Sequence, residues 1–263
     1  MKIVSIVSSY RKNGNTNNIV KLIEDQIEKI AEKLDLPLKI ERILLGDYGI
    51  QFCHGCRVCF DKGEEKCPLK DNLLTIRDKL LDADGIIIAS PVYVEDINGI
   101  MKNWIDRMAF NNHRPGYAGK TAFLITTSGI GSSNHSIKTM KRALNAWGFY
   151  ILGQSKFRTG SLMSINNMKE LYNHKIVKIA NKLIEALVKN RPVNPTFYSL
   201  LSFKVQQKYW QKATSKNNSI DYKYWIEKEW LKPKCEYYIK HNANRVKVKI
   251  ARTFGNIIAL FFR

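Results

Sequence analysis

Short apolar runs alternate with helical patterns along the first 189 of the 263 residues. Most of these runs are rich in β-branched residues and bounded by polar turns, which is typical of strands buried on both faces. Strands that alternate with helices predict an α/β fold with a doubly wound parallel sheet. The predicted strands cover 3–7, 38–45, 85–90, 121–126 and 149–157, and the predicted helices cover 17–34, 72–81, 99–107, 136–147 and 168–188.

Three polar loops follow the first, third and fourth of these strands. They are Ser8–Thr16, Ser90–Asp96 and Thr127–Gly131. Ligands of doubly wound sheets bind outside the carboxyl ends of the strands. We therefore expect the three loops to meet at one ligand site.

The first loop leads directly into a helix N-terminus, whose free N–H groups and partial positive charge bind anions. Ser9, Asn15 and Thr16 add hydroxyl or amide donors, Arg11 can make charge-assisted bonds, and Gly14 allows a tight turn. The loop lacks the glycine patterns of dinucleotide-binding folds and P-loops. These features favour a phosphate monoester. The alternative is an ordinary turn in which Asn and Thr only cap the helix.

Four cysteines are clustered with the spacing C-x2-C-x2-C-x7-C, at Cys53, Cys56, Cys59 and Cys67, while Cys235 is remote. The chain opens on a strand without a signal-peptide pattern, so clustered cysteines indicate metal or redox chemistry rather than disulfides. Three closely spaced thiolates can converge on an iron–sulfur cluster, and the fourth would complete a [4Fe–4S] site. Zinc bound by four thiolates and free thiols are the alternatives.

The first loop resembles the G-S-P-R-x-x-G-N-T phosphate loop of flavodoxin-like reductases, with Ser8 and Tyr10 replacing the first Gly and the Pro. Ser-Pro-Val-Tyr at 90–93 and the segment 101–107 resemble the S-P-V-Y and K-x-x-I-D-R motifs of the NADPH-dependent FMN reductase family. The resemblance covers about residues 1–185 and implies a flavodoxin-like five-stranded sheet that binds FMN. The four-cysteine block at 53–67 resembles that of the iron–sulfur flavoprotein branch of this superfamily.

The resemblance also implies roles for individual residues. It implies that the FMN phosphate is held by Ser9, Arg11, Asn15 and Thr16. It implies that the isoalloxazine ring is lined by Pro91, Val92 and Tyr93 and closed on its other side by Thr127, Ser128 and Gly129. Because cofactors would carry the chemistry, no catalytic side chain is expected.

The last 74 residues differ in composition, since residues 190–263 carry +11 of the net charge of +20. We predict a flavodoxin-like domain at 1–189 and a basic, aromatic-rich and mostly helical extension at 190–263, with a linker at 191–195. The charge favours an anionic partner, and a solvated lysine-rich surface is the alternative. A helix is predicted over 197–212, with one face formed by Phe197, Leu200, Leu201, Val205 and Tyr209.

The segment 245–263 has the pattern of a basic amphipathic helix. Its apolar face would hold Val246, Ile250, Phe254, Ile257, Ile258 and Phe261. Its polar face would hold Arg245, Lys249, Arg252, Asn256 and Arg263. Such a helix suits an anionic membrane surface or a partner groove, and packing on its own domain or on a second subunit is the alternative.

Together with these features, the family resemblance implies a cytoplasmic FMN-dependent oxidoreductase of the NAD(P)H:acceptor or flavin/quinone reductase type, with a [4Fe–4S] cluster for single-electron transfer. One alternative is an electron carrier that takes electrons from ferredoxin and has no small-molecule substrate. Another is a zinc-containing nucleic-acid-binding or regulatory protein, although the three polar loops argue against nucleic acid. The resemblance implies a homo-oligomer. The chain has no apolar run of 18 residues, so no transmembrane helix is expected.

Overall fold

The computed structural model describes residues 1–189, 193–212 and 219–261. Within these ranges, five parallel strands and one short antiparallel strand form the sheet. The strands are β1 (Lys2–Val7), β2 (Lys39–Leu44), β3 (Gly85–Tyr93), β4 (Asp96–Ile97), β5 (Thr121–Ser128) and β6 (Tyr150–Arg158). The parallel strands have the order β2-β1-β3-β5-β6, and β4 pairs only with the end of β3.

Helices cover both faces of the sheet, because each helix buries one apolar stripe against it. They are α1 (Asn15–Lys33), α2 (Val58–Asp61), α3 (Leu73–Asp82), α4 (Gly99–Arg107), α5 (Asn134–Ala146) and α6 (Ile165–Lys189), with short 3-10 turns at Leu45–Tyr48, Glu64–Lys66 and Ala109–Asn112. Helices α1 and α6 share one apolar core with the sheet, and α3, α4 and α5 share the other. This arrangement confirms the predicted flavodoxin-like, doubly wound, five-stranded α/β fold.

Two predicted loops are wrong at their first residues, which continue the strands. Strand β3 runs on through Pro91, Val92 and Tyr93, and Thr127 and Ser128 belong to β5. Proline has no N–H for the ladder, which favoured ending β3 at that point. The strand persists because Pro91 lies opposite Thr127 in register with β5, and the next two residues pair with β4.

The described residues of the C-terminal part form three more helices, α7 (Phe197–Lys212), α8 (Ile220–Glu227) and α9 (Arg245–Ile258). These helices and the segment that follows α8 bury an aromatic cluster of their own. It contains Leu200, Phe203, Trp210, Trp225, Trp230, Tyr237, Tyr238, Val248 and Ala251. The domain boundary at 189/190 stays a prediction, because residues 190–192 lie outside the described part of the chain.

Two details of the predicted extension are wrong. The face predicted for α7 is rotated, since Leu200 is buried but Phe197 and Tyr209 are 40% and 45% exposed. The buried face includes Phe203 and Trp210, because α7 packs against both α9 and the aromatic segment after α8. The second wrong detail is the length of α9. A helix is predicted over 245–263, but α9 ends at Ile258, where i→i+3 hydrogen bonds tighten the chain. Arg191, Pro192, Phe262 and Arg263 lie outside the described residues.

The side chain of Gln207 on α7 organises the interior of this extension. It is fully buried, and its Nε2 donates to the carbonyl oxygens of Trp230, Lys232 and Cys235 at 2.7, 3.1 and 3.2 Å. Its Oε1 accepts from Lys204 Nζ at 2.7 Å. One amide therefore satisfies backbone and side-chain groups that would otherwise be buried without partners.

We expect Gln207→Leu to lower the free energy of unfolding by about 2–4 kcal/mol, because several buried polar groups lose their partner. The matched control is Gln206→Leu, since Gln206 Oε1 is buried without a hydrogen bond within the described structure. Urea unfolding followed by tryptophan fluorescence measures both variants. Equal losses of stability would contradict the assignment.

A search of the described helices finds none long and apolar enough to cross a membrane.

Candidate functional site

The loop between β1 and α1 folds around Gly14. Ser9 Oγ accepts from Arg11 N at 3.2 Å, and Gly14 N donates to Arg11 O at 3.0 Å. Gly14 is the N-cap of α1, where the described structure gives no side-chain capping bond and no acidic residue in the first turn. The N-terminal N–H groups of α1 are therefore available to an anionic ligand.

The two cations of this loop have different surroundings. Lys12 Nζ lies 3.8 Å from Asp47 Oδ2, in an exposed ion pair. Arg11 is also exposed, but no side-chain hydrogen bond or ion pair engages its guanidinium within the described residues. Arg11 therefore keeps its full donor fork for a ligand.

Asn15 and Thr16 tie the first loop to its neighbours. Asn15 Nδ2 donates to Thr159 Oγ1 at 2.9 Å, and Asn15 Oδ1 accepts from Met163 N at 3.0 Å. The Asn15 side chain therefore positions the loop that follows β6, and it leaves the backbone N–H of Asn15 for a ligand. Thr16 Oγ1 lies 2.6 Å from Thr127 Oγ1, and both residues are buried. Whichever hydroxyl donates, the other keeps its O–H for a second acceptor.

The segment at 91–95 forms a hairpin beside these donors. Pro91 is buried and Val92 is half-buried, whereas Tyr93 and Val94 are 53% and 100% exposed. Val94 and Glu95 turn the chain with positive φ values of 49° and 63°. The hairpin therefore presents an aromatic ring and an apolar tip next to the loops at the carboxyl edge of the sheet.

The loop after β5 faces the same edge. Thr127 and Ser128 are the last two residues of β5 and are buried, whereas Gly129 is exposed. Ser128 O accepts from Thr159 N at 2.9 Å, which joins this loop to the one after β6. Among the predicted site residues, Thr16 and Thr127 form the side-chain hydrogen bond that directly joins two of these loops.

Sequence reasoning missed Asn98 and Thr159. Asn98 is buried, its Nδ2 donates to Ser8 O at 2.6 Å, and its Oδ1 accepts from Met101 N at 3.3 Å. It therefore caps α4 and holds the first loop at the same time. An Asn immediately before a helix is a recognisable capping signal, but the long-range half of its role has no local signature. Thr159, the partner of Asn15, likewise gives no signal in the sequence.

We expect Gly14→Ala to weaken ligand binding at this loop. A Cβ at Gly14 would lie 2.8 Å from Arg11 Cβ and 3.2 Å from Ser9 Oγ, so the loop must shift. Gly99→Ala is the matched control, because a Cβ there meets nothing within 4 Å. Titration of apoprotein with FMN, followed by flavin fluorescence, measures the effect. Equal affinity of the two variants would remove Gly14 from the site.

The four clustered cysteines line one cavity of about 80 Å³. Apolar side chains form most of the rest of its wall, and His54 and three charged residues also line it. These apolar side chains include Phe60, Leu69 and Phe110, and the charged residues are Arg57, Glu64 and Arg107. No residue of the three polar loops is among its lining residues. A pocket lined by four thiols and apolar groups is chemically suited to a soft metal centre.

Arg107 and its partners hold the backbone on one side of this cavity. Arg107 Nη1 donates to Asp71 Oδ2 at 2.6 Å and to Gln51 O at 2.8 Å, and Nη2 lies 3.9 Å from Cys67 Sγ. Burial alone would raise the pKa of Asp71, but the bonds from Arg107 and the backbone hold it below its usual value. Asp71 therefore stays charged and fixes the guanidinium beside the thiol of Cys67.

Arg114 holds the other side. Its Nη2 donates to Cys59 O and to Glu64 Oε2, both at 2.7 Å, and its Nη1 pairs with Asp221 of α8. All of these groups are buried or half-buried. The C-terminal extension is thereby connected to the cysteine block through one arginine.

The thiols are close enough to influence one another. Burial, followed by repulsion from Cys67 and Cys53, raises the pKa of the Cys59 thiol above its usual value. No group of three or more His, Cys, Asp or Glu side chains in the described ranges is arranged to hold a single metal ion. Cys235 lies apart, where its Sγ donates to Tyr237 O at 3.3 Å. The predicted cysteine set thus lines one cavity without closing on one point.

A groove of about 890 Å³ lies at the opposite end of the sheet, lined by Asp84, Lys120 and Tyr150 among others. These residues are near the amino ends of the strands. Because doubly wound sheets bind ligands at the carboxyl ends, we assign no cofactor to this groove.

The chain is similar to known flavoproteins. Residues 1–161 match the family model of NADPH-dependent FMN reductases. An iron-sulfur flavoprotein of Archaeoglobus fulgidus is 27% identical over 232 residues, which cover 88% of this chain and 100% of the relative. An iron-sulfur flavoprotein of Clostridioides difficile is 28% identical over 205 residues, which cover 77% of this chain and 87% of the relative.

Solved structures share the fold. RosB with bound 8-demethyl-8-formylriboflavin-5'-phosphate has a TM-score of 0.54 at 12% identity, covering 73% of this chain and 82% of RosB. FerB, an NAD(P)H:(acceptor) oxidoreductase from Paracoccus denitrificans, has a TM-score of 0.50 at 17% identity. The match covers 72% of this chain and 98% of FerB. The family match spans more than half of the sequence and agrees with the observed sheet order. The chain therefore belongs to the NADPH-dependent FMN reductase family and is an FMN-dependent oxidoreductase with a flavodoxin-like fold.

Proposed function

We propose that this oxidoreductase transfers reducing equivalents from NAD(P)H to a flavin, quinone or similar acceptor, and that its clustered cysteines hold a [4Fe–4S] cluster. The observation that carries the proposal is the presence of two prepared sites in one chain. An uncapped helix N-terminus lies beside an aromatic hairpin, and four cysteines line a separate apolar cavity. FMN, when bound, exchanges a hydride or electron pair, and a cluster exchanges electrons singly.

The first loop would hold the FMN phosphate. Arg11 would supply charge-assisted bonds, and Ser9 and Thr16 would supply hydroxyl donors. Asn15 would contribute its backbone N–H, because its side chain already bonds to Thr159. Gly14 fits this role, since the space that a Cβ would occupy is needed for the loop to close.

The other two loops would enclose the flavin ring. Pro91, Val92 and Tyr93 would form one wall, where Tyr93 offers both a ring and a hydroxyl. Thr127, Ser128 and Gly129 would close the opposite side. These residues would bind and orient the ring and exclude water from it.

Cys53, Cys56, Cys59 and Cys67 would ligate the cluster. The names of two relatives, both iron-sulfur flavoproteins, are consistent with an iron–sulfur centre at these cysteines. A single zinc ion requires four sulfur atoms at about 2.3 Å from one point. A [4Fe–4S] cluster suits this cavity better, because each of the four corners of the cluster accepts one thiolate. The four thiolates then do not have to converge on one point. Arg107 and Arg114 would offset the negative charge of the ligated centre.

The alternative is an electron carrier that is reduced by ferredoxin and has no small-molecule substrate. The exposed cysteine block favours it, since Cys53 and Cys56 lie at the surface within reach of a protein partner. A redox partner is proposed in either case.

We also propose a cytoplasmic homo-oligomer. The loops at the carboxyl edge expose large apolar side chains, namely Tyr10, Tyr93, Val94, Ile130 and Leu162. Such a rim is more typical of a subunit contact than of a solvent-exposed surface. A subunit that covers this rim would also shield the flavin.

One set of measurements tests the function. Protein purified without air should release FMN on heating, as identified by chromatography, and should oxidise NADH or NADPH in steady state with a quinone. Recovery of FAD would contradict the proposed site. Absence of turnover with either nucleotide, together with rapid reduction by reduced ferredoxin, would favour the electron carrier.

A further inference from the structure

Helix α9 contacts the rest of the extension through its smaller side chains. Val248, Ala251, Gly255 and Ala259 are buried, and they recur at helical spacing along one face. A Cβ at Gly255 would lie 2.7 Å from Lys204 Cβ on α7, so the two helices pack closely. The interior of the fold therefore uses the small-residue face of α9.

The larger apolar side chains of the same helix face solvent. Val246, Ile250, Phe254 and Ile257 are 65%, 44%, 52% and 48% exposed, and they form a second stripe beside the buried one. Leu260 and Phe261 extend this stripe past the end of the helix, at 73% and 82% exposure. Phe197 of α7 meets Phe254 edge-on at 6.5 Å and widens it. We call these residues the apolar stripe; exposed surfaces of this kind mark membrane or protein contacts.

A basic groove runs along the other edge of the apolar stripe. Its volume is about 630 Å³, and its lining includes Arg245, Lys249, Arg252, His241 and Glu236. Arg252 is engaged by the carbonyl oxygens of Cys235 and Pro233 at 2.8 and 2.7 Å. Glu236 lies 3.8 Å from His241 Nε2.

Arg245 and Lys249 are the cations of this groove that stay available. Both are exposed, and no side-chain hydrogen bond or ion pair engages either of them within the described residues. They lie one helical turn apart, next to Val246 and Ile250 of the apolar stripe. Two free cations thus border one side of an apolar surface.

We propose that this face of α9 binds the surface of a bilayer that contains anionic phospholipids. The apolar stripe would enter the boundary between headgroups and acyl chains, and Arg245 and Lys249 would contact lipid phosphates. A second copy of the chain fits this face poorly, because each extension has a net charge of +11 and the two would repel each other. The proposal does not depend on the redox function.

Sedimentation of the full-length, flavin-loaded protein with vesicles tests the proposal. We expect binding to vesicles of phosphatidylcholine and phosphatidylserine at low salt, weaker binding at high salt, and none to phosphatidylcholine alone. Arg245→Gln/Lys249→Gln should weaken binding at least tenfold, because each substitution removes the contribution of about one basic residue to binding at the membrane surface. The matched control Lys223→Gln/Lys228→Gln removes two exposed charges, one on α8 and one directly after it, and should bind as the unmodified protein does.

The apolar half of the proposal has its own pair of variants. Ile250→Gln/Phe254→Gln should lose vesicle binding, whereas Ile226→Gln, at an equally exposed site on α8, should not. Unchanged flavin absorption and melting temperature would show that these surface variants are folded. The proposal is overturned by absence of binding to anionic vesicles, by equal effects of the two charge variants, or by binding that persists without the apolar stripe. An oligomer that dissociates in Ile250→Gln/Phe254→Gln without vesicles would instead assign this face to a second copy.

Discussion

Replacing Cys59 by serine is expected to remove iron and sulfide from anaerobically prepared protein while leaving FMN bound. Cys59 is half-buried in the cavity that it shares with Cys53 and Cys67, and the Arg114 bond to its carbonyl holds its backbone there. Serine replaces a soft thiolate by a hydroxyl that iron–sulfur clusters bind poorly. FMN should remain because no residue of the three polar loops lines this cavity.

The matched control is Cys235→Ser. Cys235 belongs to the C-terminal extension, outside the cavity, and its thiol bonds to a backbone carbonyl. Iron, sulfide and zinc are measured per chain in both variants and in the unmodified protein. One zinc per chain without sulfide in the unmodified protein would refute the cluster, and loss of iron in Cys235→Ser would refute the ligand set.

The alternation of elements was readable from the sequence, since burial on both faces of a parallel sheet demands continuous apolar runs. Gly99–Arg107 and Phe197–Lys212 are helices with the predicted bounds. The end of β3 was not readable, because Pro91 signals a break whereas the ladder with β5 continues past it. Local propensity thus gave way to pairing with a neighbouring strand.

The extension shows the same limit more sharply. Helix α9 exposes Val246, Ile250, Phe254 and Ile257 of the predicted apolar face, but a different face, around Ala251 and Gly255, is the one that packs on α7. Periodicity ranks faces by hydrophobicity, and it cannot recognise that close helix packing favours small residues. For α7 the consequence was a wrong choice of buried face, since Phe203 and Trp210 are buried in place of Tyr209.

The residues of the candidate site could be predicted from the sequence, but the hydrogen bonds that connect them could not. Motif resemblance singled out Asn15, but its bond to Thr159 joins residues 144 positions apart. The bond from Asn98 to Ser8 O joins residues 90 positions apart. These links depend on the order of the strands, which brings the loops after β1, β3 and β6 to one edge. The roles assigned to the individual loop residues stay predictions.

Arg11→Ala is expected to raise the dissociation constant of FMN about 10- to 150-fold, which corresponds to about 1.5–3 kcal/mol for a charge-assisted hydrogen bond. The reason is that the Arg11 guanidinium has no side-chain bond or ion pair within the described residues and lies on the loop with the uncapped helix N-terminus. The affinity for riboflavin, which has no phosphate, should not change. Fluorescence titration of apoprotein with each flavin separates the phosphate contact from contacts to the ring.

Lys12→Ala is the matched control for this variant. Lys12 is the next cation of the loop, but its Nζ already lies 3.8 Å from Asp47 Oδ2 and it is 73% exposed at the side chain. If the long-range field of the loop attracted FMN, both substitutions would weaken binding alike and salt would screen both effects. If Arg11 bonds to the phosphate directly, its loss alone should be large and should change little with salt. Equal effects of the two variants, or an equal loss of riboflavin affinity in Arg11→Ala, would remove Arg11 from the phosphate site.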